Sequence, residues 1–167
     1  MTKPVIRAMT SADVDAVAEV HVRGTRAGCA GIMPADHLAS LDPAVFAARR
    51  RAVAADPLRH TLVADRDGLV VGFVSFGPDR EDAALAEIYA IYVDPVAWGT
   101  DAGHRLLDAA FTVLMTGHPS VRLWVLAANG RARRFYERAG MSTDGVTVVH
   151  RAGAGIELPK LRYTRPL

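Results

Sequence analysis

The chain opens on a short apolar run, Val5-Ile6-Arg7-Ala8-Met9, that reads as a first strand. Thr10-Ser11-Ala12-Asp13 has the composition of a helix start, with Thr10 as cap and Asp13 in the first turn. Val14, Val17, Ala18 and His21 then recur at i, i+3, i+4 and i+7, which is one helical face. Gly24, Gly28 and Gly31 predict that this helix breaks into a loop. Residues 34–40 predict a short helical turn. Asp42-Pro43 is a cap and first-turn pair for a further helix to about Ala55, stopped by Asp56-Pro57.

Residues 60–65 and 69–76 read as strands joined by Arg66-Asp67-Gly68, because glycine accepts the positive φ that a tight hairpin needs. Gly77-Pro78 ends the second, and residues 85–93 form a third. Strict alternation places Leu85, Glu87, Tyr89, Ile91 and Val93 on one face of it unless a bulge intervenes. After a loop over 94–100, Leu106, Ala110, Val113 and Leu114 are in helical phase from Ala102 to Met115, and Gly117 and Pro119 end that helix. A buried strand over 121–126 precedes a helix from Asn129 to Ala139, with Ala132, Phe135, Tyr136 and Ala139 in phase and Gly140 as its stop. Two last strands flank Ala152-Gly153-Ala154-Gly155. The order β-α-α-α-β-β-β-α-β-α-β-β predicts one α/β (α+β) domain over 1–167, without repeat or linker.

Composition narrows the function classes. Of 167 residues, 50% are hydrophobic and 23% charged, which suits a globular core and argues against disorder. The 20 Lys and Arg against 18 Asp and Glu leave a charge of only +2, so no nucleic-acid partner is expected. The clusters Arg49-Arg50-Arg51 and Arg131, Arg133, Arg134 fall on helices whose polar faces need charge, and Arg133 with Glu137 makes an i, i+4 pair. One cysteine, Cys29, excludes an intrachain disulfide, and six scattered histidines give no metal-ligand spacing, so no metal is expected. No leader is expected from Met1 to Arg7, and no apolar run reaches the roughly 18 residues of a membrane span. A cytoplasmic protein with no membrane contact is the expectation.

The segment Ile91-Tyr92-Val93-Asp94-Pro95-Val96-Ala97-Trp98-Gly99-Thr100-Asp101-Ala102-Gly103-His104 carries the candidate chemistry. A strand ends, a glycine-containing loop turns, and a helix begins. The first N–H groups of a helix have no intrahelical acceptor, and flanking glycine lets an anion approach them. The expectation is a phosphate site, although an ordinary strand–loop–helix corner has the same ingredients. It is neither a Walker loop nor a dinucleotide fingerprint, because the glycine and lysine spacings of both are absent.

Two motifs and the element order resemble the GNAT superfamily of acyl-CoA-dependent N-acyltransferases. Glu87-Ile88-Tyr89-Ala90-Ile91-Tyr92-Val93-Asp94-Pro95 running into Trp98-Gly99-Thr100-Asp101-Ala102-Gly103 is similar to the family's strand and pyrophosphate loop. Asn129-Gly130-Arg131-Ala132-Arg133-Arg134-Phe135-Tyr136-Glu137-Arg138-Ala139-Gly140-Met141 resembles its Asn-x-x-Ala-x-x-Phe-Tyr-x-x-x-Gly-Phe segment, with Met141 in the last aromatic place. The resemblance implies a mixed, mostly antiparallel sheet of about seven strands, flanked by helices and splayed at an acyl-CoA cleft. It implies that an amine attacks the thioester of acetyl-CoA directly and that CoA leaves as a thiolate. On this reading Trp98, Gly99, Thr100, Asp101, Ala102, Gly103 and His104 hold the pyrophosphate. Ile91, Tyr92 and Val93 pair with the pantetheine arm, and Asn129 and Arg133 contact the cofactor.

Tyr136 is the implied acid for the leaving thiolate, and Glu87 the candidate base. The phase of Tyr136 also fits plain core packing, Asn129 fits a helix cap, and Glu87 fits a solvated strand position. The acceptor, a small-molecule or peptide amine, is expected between residues 23–41 and the C-terminal hairpin, with His21, Arg26, Met33, His37 and Tyr163 as candidate lining. A homodimer is a further expectation of the family.

Asp101 departs from the motif, standing where its first glycine belongs. Its carboxylate either caps the helix amides and repels a diphosphate, or turns outward and leaves only its N–H. The first alternative describes a catalytically weak acyl-CoA-binding or regulatory domain.

Overall fold

The computed structural model describes residues 2–153 and 155–167; Met1 and Ala154, the latter in the expected last turn, lie outside the described residues. The elements are β1 (Val5–Ala8), α1 (Val14–Gly28), α2 (Ala35–Ser40), α3 (Pro43–Val53), β2 (His60–Arg66), β3 (Leu69–Pro78), β4 (Ala86–Val93), α4 (Ala102–Leu114), β5 (Ser120–Leu126), α5 (Gly130–Arg138), β6 (Ser142–Arg151) and β7 (Glu157–Pro166). The seven strands form one sheet in the order β1-β2-β3-β4-β5-β7-β6. Every pair is antiparallel except β4 with β5. The expected mixed, mostly antiparallel sheet flanked by helices is present.

Alternation along β2 and β3 builds two cores. Ala64, Val74 and Phe76 pack with Leu106, Leu107, Ala110, Phe111 and Leu114 of α4. Their neighbours Val63 and Phe73 face the other way, against Val17 and Val20 of α1, while Val14 and Ala18 of α1 pack on Ala47 of α3. The β2–β3 turn has φ of 55° at Asp67 and 84° at Gly68, the two left-handed positions of a type I′ hairpin.

Two sequence expectations are corrected. α1 does not break at Gly24 but runs on to Gly28. Gly24 is a packing position: a Cβ there would lie 3.0 Å from Tyr92 Cδ1 and 3.5 Å from the Val93 carbonyl oxygen. The missing side chain lets β4 lie close against the helix.

The strict alternation along β4 also fails. Ser75 pairs with Ala90 and Phe76 with Ile88, so Tyr89 is the extra residue of a β-bulge. The bulge shifts the phase. Ala86, Ile88, Ile91 and Val93 share the α4 side, and Ala90 and Tyr92 the α1 side. Glu87, adjacent to Ala86 and Ile88, therefore does not share a face with Ile91 and Val93.

β4 and β5 pair only at Ala86–Val121 and Glu87–Arg122. Beyond those two rungs the strands diverge. Ile88–Val93 and Leu123–Leu126 become facing walls of an opening in the middle of the sheet.

Candidate active site

The opening is a cleft of about 570 Å³. Its walls are Ile88–Val93 of β4, Leu123–Leu126 of β5, the loop Ala97–Thr100 with Gly103 and His104, and one side of α5. The far end is closed by Gly24, Thr25, Gly28, Cys29 and Met33, and by His150 and Lys160 of the β6–β7 hairpin. No aspartate or glutamate is among the lining residues.

At the loop end, Asp94 caps a single 3-10 turn over Pro95–Ala97, its carboxylate accepting the Val96 N–H at 3.1 Å. The Trp98 indole Nε1–H donates to the Val93 carbonyl at 2.8 Å, tying the loop to the strand end. Arg131 of α5 stacks its guanidinium on the Trp98 ring, 3.3 Å from the centroid. Gly99 has a φ of 79°, a conformation that strains any residue with a side chain. The amides of Gly103 and His104 begin α4, and no protein acceptor takes them among the described residues.

Asp101 does not cap that helix. Its side chain makes no bond to the amides, is 43% exposed, and lies 4.0 Å from Arg105 one turn on. Of the two conformations open to it on sequence grounds, the outward one is observed.

On α5, Asn129 is both cap and cleft residue: Oδ1 accepts the Ala132 N–H at 3.0 Å, and the side chain lines the cleft. Tyr136 lies one side of α5 further along, among Phe135 at 5.3 Å and Tyr163 at 6.4 Å between ring centroids. Its hydroxyl has no hydrogen-bond partner among the described residues, and the residue lines the cleft. Burial pushes the phenol far above the ordinary tyrosine range, and the nearby Tyr92 adds to the effect. Tyr136 is thus held neutral, as a donor.

Residues 20–141 match the family model described as Acetyltransferase (GNAT) family. The chain belongs to the GNAT acetyltransferase family. It is 33% identical over 146 residues to an uncharacterized N-acetyltransferase of Mycobacterium tuberculosis, covering 85% of this chain and 90% of that protein. A second N-acetyltransferase of that species is 32% identical over 103 residues, 60% of this chain and 57% of the other, so the chain spans little more than half of that relative. Among solved structures, a PaiA N-acetyltransferase from Thermoplasma acidophilum in complex with coenzyme A superposes with a TM-score of 0.78 at 18% identity, over 99% of this chain and 100% of that one. This GNAT chain is accordingly an N-acetyltransferase by family, and its fold matches that of the solved structure.

The GNAT cleft brings together Ile91, Tyr92, Val93, Trp98, Gly99, Thr100, Gly103, His104, Asn129 and Tyr136 from the sequence expectations. Four expected residues fall outside it. Ala102 is buried under α4 in the core, because it starts the apolar face of that helix. Asp101 sits on the outer side of the loop, around a small hollow with Lys3 and Arg66. Arg133 turns to the opposite side of α5, where Nε donates to the Tyr163 hydroxyl at 3.1 Å.

Glu87 is the fourth. It is buried at 3% exposure, and Arg80 occupies its carboxylate, with Nε donating to Oε2 at 2.9 Å and Nη2 to Oε1. A carboxylate so engaged has little freedom to take a substrate proton.

The acceptor-side candidates divide likewise. Met33 lines the cleft. His21 lies behind Tyr92, with ring centroids 4.3 Å apart. Arg26 pins α1 to α2 by donating to the carbonyls of Leu38, Ala39 and Leu41. Tyr163 is in the core, giving its hydroxyl hydrogen to Glu137 at 2.8 Å. Cys29 lies in the segment expected to border the acceptor and does line the cleft, whereas the lining residues Arg131, Arg138, His150 and Lys160 were missed by sequence reasoning. A flag on charged residues of the last hairpin was the one available signal for Lys160.

Proposed function

We propose that this GNAT enzyme moves the acetyl group of acetyl-CoA to a primary amine of a small molecule or peptide, with Tyr136 as the acid. The observation that carries the reading is the unpartnered, strongly protonated Tyr136 hydroxyl beside the splayed β4 edge. The residues present fit the cofactor. The free amides of Gly103 and His104 and the open Gly99 turn suit a pyrophosphate, and the unpaired edge Ile88–Val93 suits the amides of a pantetheine arm. Asn129 keeps its side-chain amide for the same arm while its oxygen caps α5.

When bound, acetyl-CoA supplies an activated thioester that a neutral amine attacks. Tyr136 Oη donates its proton to the departing sulfur, and the proton shed by the attacking nitrogen restores the phenol, so the balance closes within the cleft. With Glu87 occupied by Arg80 and no carboxylate in the lining, the amine loses its first proton to water rather than to a carboxylate. The Trp98–Val93 bond and the Trp98–Arg131 stack fix the loop against which the cofactor is oriented.

Operation in the cytoplasm and as a homodimer are parts of the same proposal; light scattering reads the second. The described residues contain no helix long and apolar enough to cross a membrane. The test is acetyl-dependent thiol release with a panel of amines on the native chain and on Tyr136→Phe, beside calorimetric titration with acetyl-CoA. The expected result is unchanged binding with kcat reduced at least tenfold in the variant. Equal kcat in both across pH 6–9 removes Tyr136 from the acid role.

A further inference from the structure

We infer that the acceptor is an amine that also bears a carboxylate, and that Lys160 is the specificity-determining residue that holds it. The inference rests on the acetyl-transfer reading above and names the substrate class of the same site.

Lys160 is set in the middle of β7, paired with Leu126 of β5 on one side and Val148 of β6 on the other. Its backbone is therefore fixed, and its side chain enters the end of the cleft shared by Cys29, Met33 and His150. No carboxylate of the described residues lies within salt-bridge distance of its ammonium. Among the described residues, the one carboxylate close enough to favour its charge is Glu87, and that carboxylate is held by Arg80.

Among the described residues, a second cation acts on Lys160. That cation is Arg80, while His150, which feels both Lys160 and His37, is held toward its neutral form. Burial and the Arg80 charge push the Lys160 ammonium down from its ordinary value, and burial with the Lys160 charge does the same to the His150 imidazolium. An anion from the substrate supplies the missing countercharge.

The same charges disfavour the alternative acceptors. A simple mono- or polycation would enter a lined space with no acidic residue and meet like charge. An amine with its own carboxylate cancels that repulsion. His104 and Arg131 belong to the loop end of the cleft, beside Phe135 and Trp98, and are left for the cofactor phosphates.

The experiment compares matched pairs, each an amino acid and its own carboxamide, such as glycine with glycinamide and β-alanine with β-alaninamide. Two readouts are taken on the full chain: kcat/KM by acetyl-dependent thiol release, and calorimetric binding to CoA-saturated protein. The expected result is at least a tenfold preference for the acid in both readouts. Lys160→Met erases that preference with CoA affinity unchanged, and Lys160→Arg retains most of it. Equal or better binding of the amides, or a preference that survives in Lys160→Met, overturns the inference. Failure of the native chain to bind CoA counts instead against the acetyl-transfer reading, and the acid–amide comparison is then decided by the same titrations without CoA.

Discussion

His21 makes the fold sensitive to mild acid. Its ring is wedged between Phe46 and Tyr92, each 4.3 Å away by centroid, with Phe73 at 5.6 Å, and its buried Nδ1 has no hydrogen-bond partner among the described residues. Burial, with the Arg50 and Arg49 charges, lowers its pKa from 6.5 to about 3. The folded value is depressed, so between these values the unfolded chain binds a proton that the native chain refuses. Stability conferred by neutral His21 is complete above 6.5 and falls as pH falls through that value. Taking the unfolded pKa as 6.5, the loss between pH 7 and pH 5 is about 2 kcal/mol, and it hardly depends on the folded value so long as that stays below about 4.5.

The perturbation is His21→Phe, which keeps an aromatic ring in the cluster and removes both the proton site and the orphaned nitrogen. Urea unfolding at pH 7 and pH 5 measures the difference. The native chain is expected to lose about 2 kcal/mol more than the variant over this interval, while at pH 7 the variant is equally stable or more so. The interval lies above the ordinary carboxylate range, which keeps aspartates and glutamates out of the comparison. His150, also depressed by burial, titrates in both proteins and cancels. Parallel losses in the two proteins would refute the reasoning.

Three further outcomes are expected. Trp98→Leu removes the 2.8 Å bond to the Val93 carbonyl and the Arg131 stack. At about 1–2 kcal/mol for the lost bond and stack, KM for acetyl-CoA should rise roughly 5–30-fold with kcat little changed, as read by steady-state kinetics. Asp101→Gly should alter acetyl-CoA affinity less than about fivefold by calorimetry, since an exposed carboxylate 4.0 Å from Arg105 is worth at most about 1 kcal/mol. Gly24→Val brings side-chain atoms within 3.0 Å of the Tyr92 ring and should cost about 1–3 kcal/mol of unfolding free energy in urea, by overpacking of α1 on β4.

The element order and most boundaries were legible because they rest on local signals. Alternation, helical phase and turn glycines act over a few residues, and Asn129, Gly99 and Gly103 carry their roles in their own backbone geometry. Gly24 shows where such signals mislead. Read along the chain, a glycine inside a helical pattern is a breaker, yet its reason here lies 68 positions away in the ring of Tyr92. Glu87 failed for a related cause. One extra residue at Tyr89 reverses which neighbours share its face, and a bulge has no composition of its own when both strands are apolar. Arg80, which then occupies Glu87, comes from the loop after β3 and gives no sign of pairing seven positions ahead.

The cleft itself depends on what β4 and β5 do not do, since only two rungs pair and the rest diverge. Absence of pairing cannot be read from either strand alone, because each is apolar enough to be a central strand. The acceptor end was least legible for the same physical reason. It is assembled from the end of α1 and the middle of β7, which meet only after the sheet has closed. Its chemistry is therefore set by long-range placement: a lysine that looks like one more solvated charge on a terminal hairpin becomes, once the sheet forms, a cation facing the cleft without a carboxylate of its own.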